Sequence, residues 1–280
     1  MAEPFGIVAD AVGIAAAFAA SVDCFEYIQL GRHFGRDYQT DLLTLNCARL
    51  RLTRWGKATN ISEDTKLGRH DATPAEIQIA KDSLFQILIL FAETEKISRR
   101  YKLNAKTADD LSTISTDDIE PTILSLSNKM KALAIRRQKR SSILKTPSWA
   151  LYHRYELKEL ISNITSLINN IEDFFPASQT QLALIKQETA EISNQQELEL
   201  VKAAAQGVDN MLHSAVIEVL SGHQYLNVTI KGKAQTGDAF SSDWKGGAVG
   251  ARHTYDNLQV DRDGKALVGN KYGGKDFWDD

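Results

Sequence analysis

Residues 223–230, HQYLNVTI, are repeated 30 positions later as HTYDNLQV at residues 253–260. A second pair of stretches follows, GKAQTGDAF at 232–240 and GKALVGNKY at 264–272, with an offset of 32 positions. The second copy therefore carries two additional residues, near Arg262 and Asp263. Residues 241–252, SSDWKGGAVGAR, form a glycine-rich linker. The sequence thus predicts two copies, 223–240 and 253–273, of one structural unit.

The repeated positions favour β-structure, and each copy is too short to bury an apolar face alone. If the copies stack as parallel rungs about 4.8 Å apart, each residue lies over its counterpart. Lys231 then faces Asp261, whereas Lys233 faces Lys265, a repulsive pairing unless both point to solvent. We expect the core and ladders to contain Tyr225, Asn227, Val228, Ile230, Lys231, Ala234, Gly237, Tyr255, Asn257, Leu258, Val260, Asp261, Ala266, Val268, Gly269 and Asn270.

Two stacked rungs still leave two open strand edges, and open edges recruit further chains. The tail, residues 223–280, has eight basic and eight acidic residues and no proline, so two usual barriers to fibril formation are missing. Its high glycine content predicts disorder in the monomer. The alternative is a flexible tail without any β-sheet function.

Residues 1–222 differ in composition, since they hold all five prolines and every glutamate. Their apolar periodicity predicts an all-α helical bundle. We place the domain boundary at Ser221–Gly222, where a glycine can end the last helix. The predicted helices run from Pro4 to about Gln29, Arg36 to Trp55, Pro74 to Tyr101, Pro121 to Arg140 and Ser148 to Phe175, with one or two more over 178–220.

Phe5–Val22 is an apolar run of 18 residues with one charged residue, Asp10. As a helix it would span about 27 Å, close to the roughly 30 Å of a bilayer core. Its Ala and Gly content and Asp10 make it a poor permanent membrane anchor. The run is therefore a buried first helix, or a segment that enters a membrane only after activation, or the first at rest and the second after activation. No lysine or arginine precedes it, which argues against a signal peptide. Candidate insertion residues are Phe5, Ile7, Val8, Val12, Ile14, Phe18 and Val22.

The sequence does not predict an enzyme, a cofactor or a metal site. Residues 269–275 fit G-x4-G-K, but Asp276 follows where a phosphate-binding loop needs Ser or Thr. The six histidines lack metal-ligand spacing. Cys24 and Cys47 have no C-x-x-C partner, so we expect a reducing compartment, and Cys24, which has no neighbouring base, is predicted to be a buried thiol. A net charge of −3 gives no reason to expect nucleic acid. The basic cluster Lys129, Lys131, Arg136, Arg137, Lys139 and Arg140 is interpreted as a solvated helix face, with contact to anionic lipid headgroups as the alternative.

Several strings, spread in order along nearly the whole chain, resemble one family. They are EPFGIVA (3–9), VDCFEYIQLGR (22–32), FGRDY (34–38), LTRWG (52–56), KTPSWALY (145–152) and GNKYGGKDFWDD (269–280). The chain is similar in these strings to the HET-s/HET-S heterokaryon-incompatibility proteins of filamentous fungi. The resemblance implies a helical HeLo domain over 1–222. It also implies a prion-forming domain over 223–280 that folds as a two-rung β-solenoid amyloid, with Phe277 and Trp278 as its C-terminal aromatic closure.

The resemblance also implies a function. A seed from an allelic prion variant or a NOD-like receptor with a similar motif would template the tail, and the refolded tail would disrupt the helical domain. The segment around Phe5–Gln29 of the cytoplasmic protein would then insert into the plasma membrane and kill the cell. The alternatives are an inert prion adaptor and a helical scaffold with a disordered partner-binding tail. Departures from the family at Thr236, Ala266, Tyr225 and Tyr255 bear on cross-seeding.

Overall fold

The computed structural model describes residues 5, 7, 12–32, 38–107, 109–138, 148–192, 194–239, 253–269 and 271. Within these residues the first part of the chain is a bundle of α-helices, as the sequence predicts. The helices are α1 (Ile14–Cys24), α2 (Tyr38–Ala58), α3 (Pro74–Asn104), α4 (Pro121–Arg137), α5 (Arg154–Phe174), α6 (Ser178–Glu191), α7 (Gln195–Ala205) and α8 (Asn210–Ser221).

Helix α2 is the centre of the bundle and packs against α4, α5 and α7. Its apolar side chains Leu50, Leu52 and Trp55 are fully buried. Several of its polar residues are buried too, including Arg49 and Arg54. A helix buried on several faces must satisfy such groups internally, because an unpaired charge in the core is very costly.

The starts of α3 and α4 are where the sequence predicts them. Thr73 accepts a hydrogen bond from the Glu76 amide at 3.3 Å, and the Glu76 carboxylate accepts one from the Thr73 amide at 2.8 Å. This capping box fixes the first turn of α3, with Pro74 at its first position. Helix α3 continues to Asn104, three residues beyond the predicted end, and packs against α1 and α5.

Two predicted helices are wrong at their ends: the first begins later and ends earlier than predicted, and the fifth begins later, with short strands at the end of the first and at the start of the fifth. Gly13 is extended, α1 ends at Cys24, and residues Ile28–Leu30 form strand β1 rather than helix. Strand β2 (Trp149–Leu151) replaces the predicted start of α5 at Ser148. The two strands pair in parallel, with Leu30 opposite Leu151. This pairing joins segments more than a hundred residues apart and gives no local periodic signal.

Three helices, not one or two, follow α5. Asn194 caps α7 by accepting from the Gln196 amide at 2.8 Å. Gly207, at φ 75°, lies in the turn that ends α7, and Asp209 caps α8 by accepting from the Leu212 amide at 3.1 Å. Helix α8 ends at Ser221, and Gly222 has φ 66°, which only glycine adopts readily.

The described part of the tail contains six strands in three parallel pairs. They are β3 (His223–Leu226) with β6 (His253–Asp256), β4 (Thr229–Ile230) with β7 (Gln259–Val260), and β5 (Lys233–Thr236) with β8 (Lys265–Val268). Each pair joins one strand from each copy of the repeat. The structure of a single chain therefore departs from the disordered monomeric tail that the glycine content predicts.

Candidate functional site: the strand ladder and the buried N-terminal helix

The strand pairs have the same register as the repeat in the sequence. Tyr225 lies opposite Tyr255, an offset of 30, whereas Lys233 lies opposite Lys265, an offset of 32. The two additional residues of the second copy lie in the turn Asp261–Gly264, where the first copy has only Lys231–Gly232. Each copy thus supplies one rung of three strands, and the two rungs together are termed the strand ladder (residues 223–239, 253–269 and 271).

Stacked side chains join the two rungs in the interior of the strand ladder. The Tyr225 and Tyr255 rings are 5.0 Å apart and almost parallel, at 9°. The Tyr255 hydroxyl donates to the Thr236 carbonyl at 3.0 Å, which links β6 of the second rung to β5 of the first. Such aromatic stacking stabilises the paired rungs by about 0.5–1.5 kcal/mol in addition to the free energy gained by burying the rings.

Asparagines form a second ladder at the turn between the first and second strands of each rung. Asn227 and Asn257 have φ of 52° and 55°, the left-handed conformation that asparagine tolerates better than most residues. The Asn257 side-chain amide donates to the Asn227 side-chain oxygen at 2.8 Å. The Asn227 backbone amide donates to the Asp256 carbonyl at 2.8 Å. Asn227 thus both adopts the backbone conformation that the turn requires and forms hydrogen bonds to the second rung.

Gly237 and Gly269 end the third strands at φ 110° and 99°. A Cβ on Gly237 would lie 3.0 Å from the Gly269 carbonyl oxygen and 2.9 Å from the Tyr255 hydroxyl, so the rungs approach too closely for any side chain. Beside this corner the buried His253 ring lies 3.2 Å from the Asp238 carboxylate. Close backbone packing and the contact between His253 and Asp238 therefore close this corner.

The other predicted ladder residues differ in burial. Ile230 is buried, and Val228, Ala234, Leu258 and Ala266 are half-buried. Val260 and Val268, predicted as core, are each 42% exposed, because among the described residues no further rung lies over the second one.

The charged positions of the strand ladder all reach solvent. The side chains of Lys233 and Lys265 are both exposed, which removes the predicted repulsion. Lys231 and Asp261 are exposed as well, and no ion pair joins them. Asn270, Phe277 and Trp278 lie outside the described residues.

The candidate insertion residues pack into the helical bundle. Ile7, Phe18 and Val22 are buried, and Phe5, Val12 and Ile14 are partly buried against the same core; Val8 lies outside the described residues. Phe18 contacts Trp55 edge to face at 6.4 Å and lies against Gly56, where a Cβ would come within 2.3 Å of the ring. The first helix is thus seated on α2 through a position that only glycine permits.

Hydrogen bonds also fasten α1 to the bundle. The buried Ser21 hydroxyl lies 3.0 Å from the Leu84 carbonyl of α3. The Gln138 side-chain amide, just after α4, donates to the Ala19 carbonyl at 3.2 Å and to Asp23 at 2.7 Å. None of the described helices combines the length and the apolarity that crossing a bilayer requires.

A buried ionic cluster was not predicted from the sequence. Arg54 contacts Glu188 through Nε at 2.9 Å, and Asp209 through a second nitrogen at 3.1 Å. Arg137 also contacts Glu188. Burial alone would lower the pKa of Arg54, but Asp209 and Glu188 raise it above its ordinary value, so the guanidinium stays charged. Burial raises the pKa of the neighbouring Cys47 thiol, and Asp209 adds to that effect.

The predicted basic cluster on α4 is not a purely solvated face. Lys129 pairs with Glu197 at 2.7 Å, Arg136 pairs with Glu191, and Arg137 is buried. These ion pairs join α4 to α6 and α7 and neutralise much of the positive charge. Lys139 and Arg140 lie outside the described residues. Cys24 is buried, as predicted, and Cys47 is buried as well.

Comparisons with known proteins agree over most of the chain. Residues 6–201 match the HeLo family, described as prion-inhibition and propagation. The chain is 34% identical over 291 residues to heterokaryon incompatibility protein S of Podospora anserina, with 100% of both chains covered. It is 33% identical over 289 residues to heterokaryon incompatibility protein s of the same species, again with 100% of both covered.

The fold is also similar to solved structures. The HET-s N-terminal domain matches with a TM-score of 0.69 and 35% identity, over 74% of this chain and 96% of that chain. A mutant form of that domain matches with a TM-score of 0.68 and 35% identity, over 73% of this chain and 97% of that chain.

Proposed function

Because the chain belongs to the HeLo family of prion-inhibition and propagation proteins, we propose that it is a heterokaryon-incompatibility protein whose tail switches its helical domain. Residues 1–222 are the helical effector and residues 223–280 are the self-templating domain. Templating of the tail activates the effector, whose N-terminal segment then permeabilises the plasma membrane. The protein acts without a catalytic centre.

One observation carries the proposal: the two copies pair in parallel and in register, with identical residues stacked at several positions. Each described strand of the ladder has one partner strand, so one edge of every strand remains unpaired. A second copy of the chain can add to these edges through the same pairing. The same geometry suits an allelic variant or a NOD-like receptor that carries a similar motif.

The connection between the two domains supports a mechanical switch. Helix α8 ends at Ser221 and strand β3 begins at His223, so Gly222 alone separates them. Stacking of β3 on a template fixes the position of this strand. Any shift of the strand then acts directly on the end of α8.

The membrane step relies on the apolar side chains that α1 and the preceding segment bury at rest. Phe18 and Val22 lie in the core, where they are shielded from lipid. Release of this segment from the bundle would expose Phe5, Ile7, Val8, Val12, Ile14, Phe18 and Val22 together. We therefore place the resting protein in the cytoplasm and the active form at the plasma membrane.

A vesicle assay tests both steps. Full-length protein is mixed with dye-loaded vesicles of phosphatidylcholine and phosphatidylserine, and fibrils of a peptide with residues 218–280 are added as seeds. Thioflavin fluorescence reports tail conversion, and dye release reports permeabilisation. We expect both signals with seeds and neither without them.

A deletion of residues 2–21 identifies the attacking segment, because it should abolish dye release and leave fibril growth intact. Leakage that survives the deletion would refute the assignment of the segment. An absence of seeded fibrils would refute the switch and favour a helical scaffold with a partner-binding tail.

A second candidate is an inert prion adaptor, which propagates the fibril without attacking membranes. It is favoured by the shortness of α1, which has 11 residues, about 17 Å of helix. Seeded fibril growth by the intact chain without any dye release is the result that this alternative requires.

A further inference from the structure

The buried ionic cluster joins α8, the helix next to the tail, to α2, the helix against which α1 packs. Arg54 of α2 contacts Asp209, which caps α8, and Glu188 of α6. We propose that the Arg54–Asp209 ion pair is a latch that holds α8 in the bundle, and that its rupture is the committed step between tail conversion and release of α1. The inference rests on the proposed function and adds its control element.

The latch is well formed and inaccessible to water. Arg54 also contacts the second Glu188 oxygen at 3.1 Å, so it binds each carboxylate through two nitrogen–oxygen contacts. The Arg54 and Glu188 side chains are 0% exposed and Asp209 is 1% exposed. With Arg137, the cluster holds two cations and two anions, so its charges balance. Removing either partner of a buried ion pair is strongly destabilising, because the other charge is then left buried without a partner.

Helix α8 is held unequally along its length. At its start, Asp209 both pairs with Arg54 and caps the helix through the Leu212 amide. Towards its end, Ile217 and Val219 are 41% and 36% exposed, and Val216 is the last fully buried side chain. A force exerted by β3 therefore acts first on the weakly packed C-terminal end of α8. The helix then unwinds from that end until it reaches the Arg54–Asp209 ion pair.

Removing Asp209 from the cluster leaves Arg54 and Arg137 with Glu188 as their shared anion. An excess positive charge would then remain in a closed interior, which favours entry of water around α2. Small displacements of α8 are thus tolerated, whereas displacement of Asp209 destabilises the centre of the bundle. This makes opening all-or-none rather than gradual.

The same turn of α2 also seats α1. Trp55 and Gly56, the two residues after Arg54, are the residues that Phe18 packs against. The Trp55 indole nitrogen donates to the Phe175 carbonyl at 3.2 Å, which fixes the ring in the closed state. A displacement of Arg54 therefore reaches the packing site of Phe18 through the two adjacent residues of the same helix, and no longer chain of contacts is needed to couple them.

The test variant is Asp209→Asn in the full-length chain. Asparagine caps helices as well as aspartate does, so α8 keeps its cap while the latch loses its charge. The matched control is Ile164→Ala, which makes a cavity at a fully buried position of α5, a helix that contributes no residue to the cluster; it is replaced by Ile164→Val if needed to equal the drop in melting temperature. Arg54→Lys, which keeps the charge but loses the two-nitrogen contact with each carboxylate, is the second variant if Asp209→Asn does not fold.

In the seeded vesicle assay, the dose of seeds for half-maximal dye release should fall on the order of tenfold in Asp209→Asn, with thioflavin growth unchanged. The control should shift this dose by less than about twofold, because a cavity in α5 lowers stability without removing the ion pair that holds α8. An equal shift in the two variants, or none in Asp209→Asn, would overturn the latch.

Hydrogen exchange of unseeded protein decides the same point without fibrils. In the wild type, the amides of residues 217–221 should exchange at least about tenfold faster than those of 212–216, since the outer turn opens alone. In Asp209→Asn both groups should exchange at one fast rate. If α8 of the wild type exchanges as one unit, the latch is refuted; if fibrils never form, only the proposed function fails.

Discussion

The ring of Tyr225 lies on the ring of Tyr255, with centroids 5.0 Å apart and planes inclined by 9°. Each ring comes from a different copy of the repeat, 30 residues apart in sequence. The contact therefore reports directly on the stacking of the two rungs.

Truncation of Tyr255 should weaken fibrils in two separable steps. Tyr255→Phe keeps the stack and loses the 3.0 Å bond to the Thr236 carbonyl, a cost of about 0.5–1.5 kcal/mol per chain. Tyr255→Ala also loses the aromatic stack and should cost several times as much. The concentration of monomer left at equilibrium with fibrils measures both. Equal values for the two variants would show that the rings do not stack in the fibril.

The asparagine ladder allows backbone strain to be separated from side-chain bonding. Asn227→Ala and Asn257→Ala lose the amide ladder and place alanine at positive φ, at about 1–2 kcal/mol each. Asn227→Gly and Asn257→Gly lose the ladder but relieve the strain. We expect seeded growth to be fastest in the wild type, slower in the glycine variants and slowest in the alanine variants. Glycine variants that grow as fast as the wild type would show that the 2.8 Å side-chain bond contributes nothing.

Gly237 and Gly269 should differ when each is replaced by alanine. Both carry the same backbone strain, but only at Gly237 does the Cβ meet the second rung of the same chain. Gly237→Ala should therefore prevent pairing within the chain. Gly269→Ala should leave that pairing and block the next chain, so a small fraction of it should slow growth of wild-type fibrils. Inhibition by both variants alike would contradict the stacking direction.

Gly56→Ala should unseat α1. The new Cβ would overlap the Phe18 ring at 2.3 Å, so we expect the free energy of unfolding to fall by about 1–3 kcal/mol. Limited proteolysis near the N-terminus should quicken at the same time. Gly13→Ala, which meets no atom within 4 Å, is the control and should cost less than about 1 kcal/mol. Combining Gly56→Ala with Phe18→Leu should recover part of the loss.

Local signals in the sequence predict several elements correctly. Thr73 and Pro74 mark the start of α3 without a distant partner, so this start could be placed to the residue, and Thr73 also forms a capping box with Glu76. The repeat is a different kind of signal, since comparing the two copies gives the offset, and the strand pairs have that offset. In both cases the information lies within the segment itself.

Contacts between distant segments that share no sequence pattern were not predictable. Strand β1 has three residues and depends on Trp149–Leu151, far along the chain, so its first two residues, Ile28 and Gln29, were predicted as the end of a helix. Arg54 resembles any surface arginine in sequence, and its partner Asp209 is 155 positions away. The single hint was the apolar surroundings of α2, which is buried on both sides of Arg54.

The two rungs differ in width at one corner, where Lys231–Gly232 of the first is matched by Asp261–Gly264 of the second. The Gly264 amide closes the wider turn onto the Asp261 carbonyl at 2.8 Å, so this bulge is a fixed shape. In a column of chains, narrow and wide corners would alternate, which gives the fibril a notched flank with a repeat of two layers, about 9.6 Å. A foreign chain with equal corners would leave each notch unfilled and solvated, so this edge can discriminate self from non-self without any change in the stacked interior.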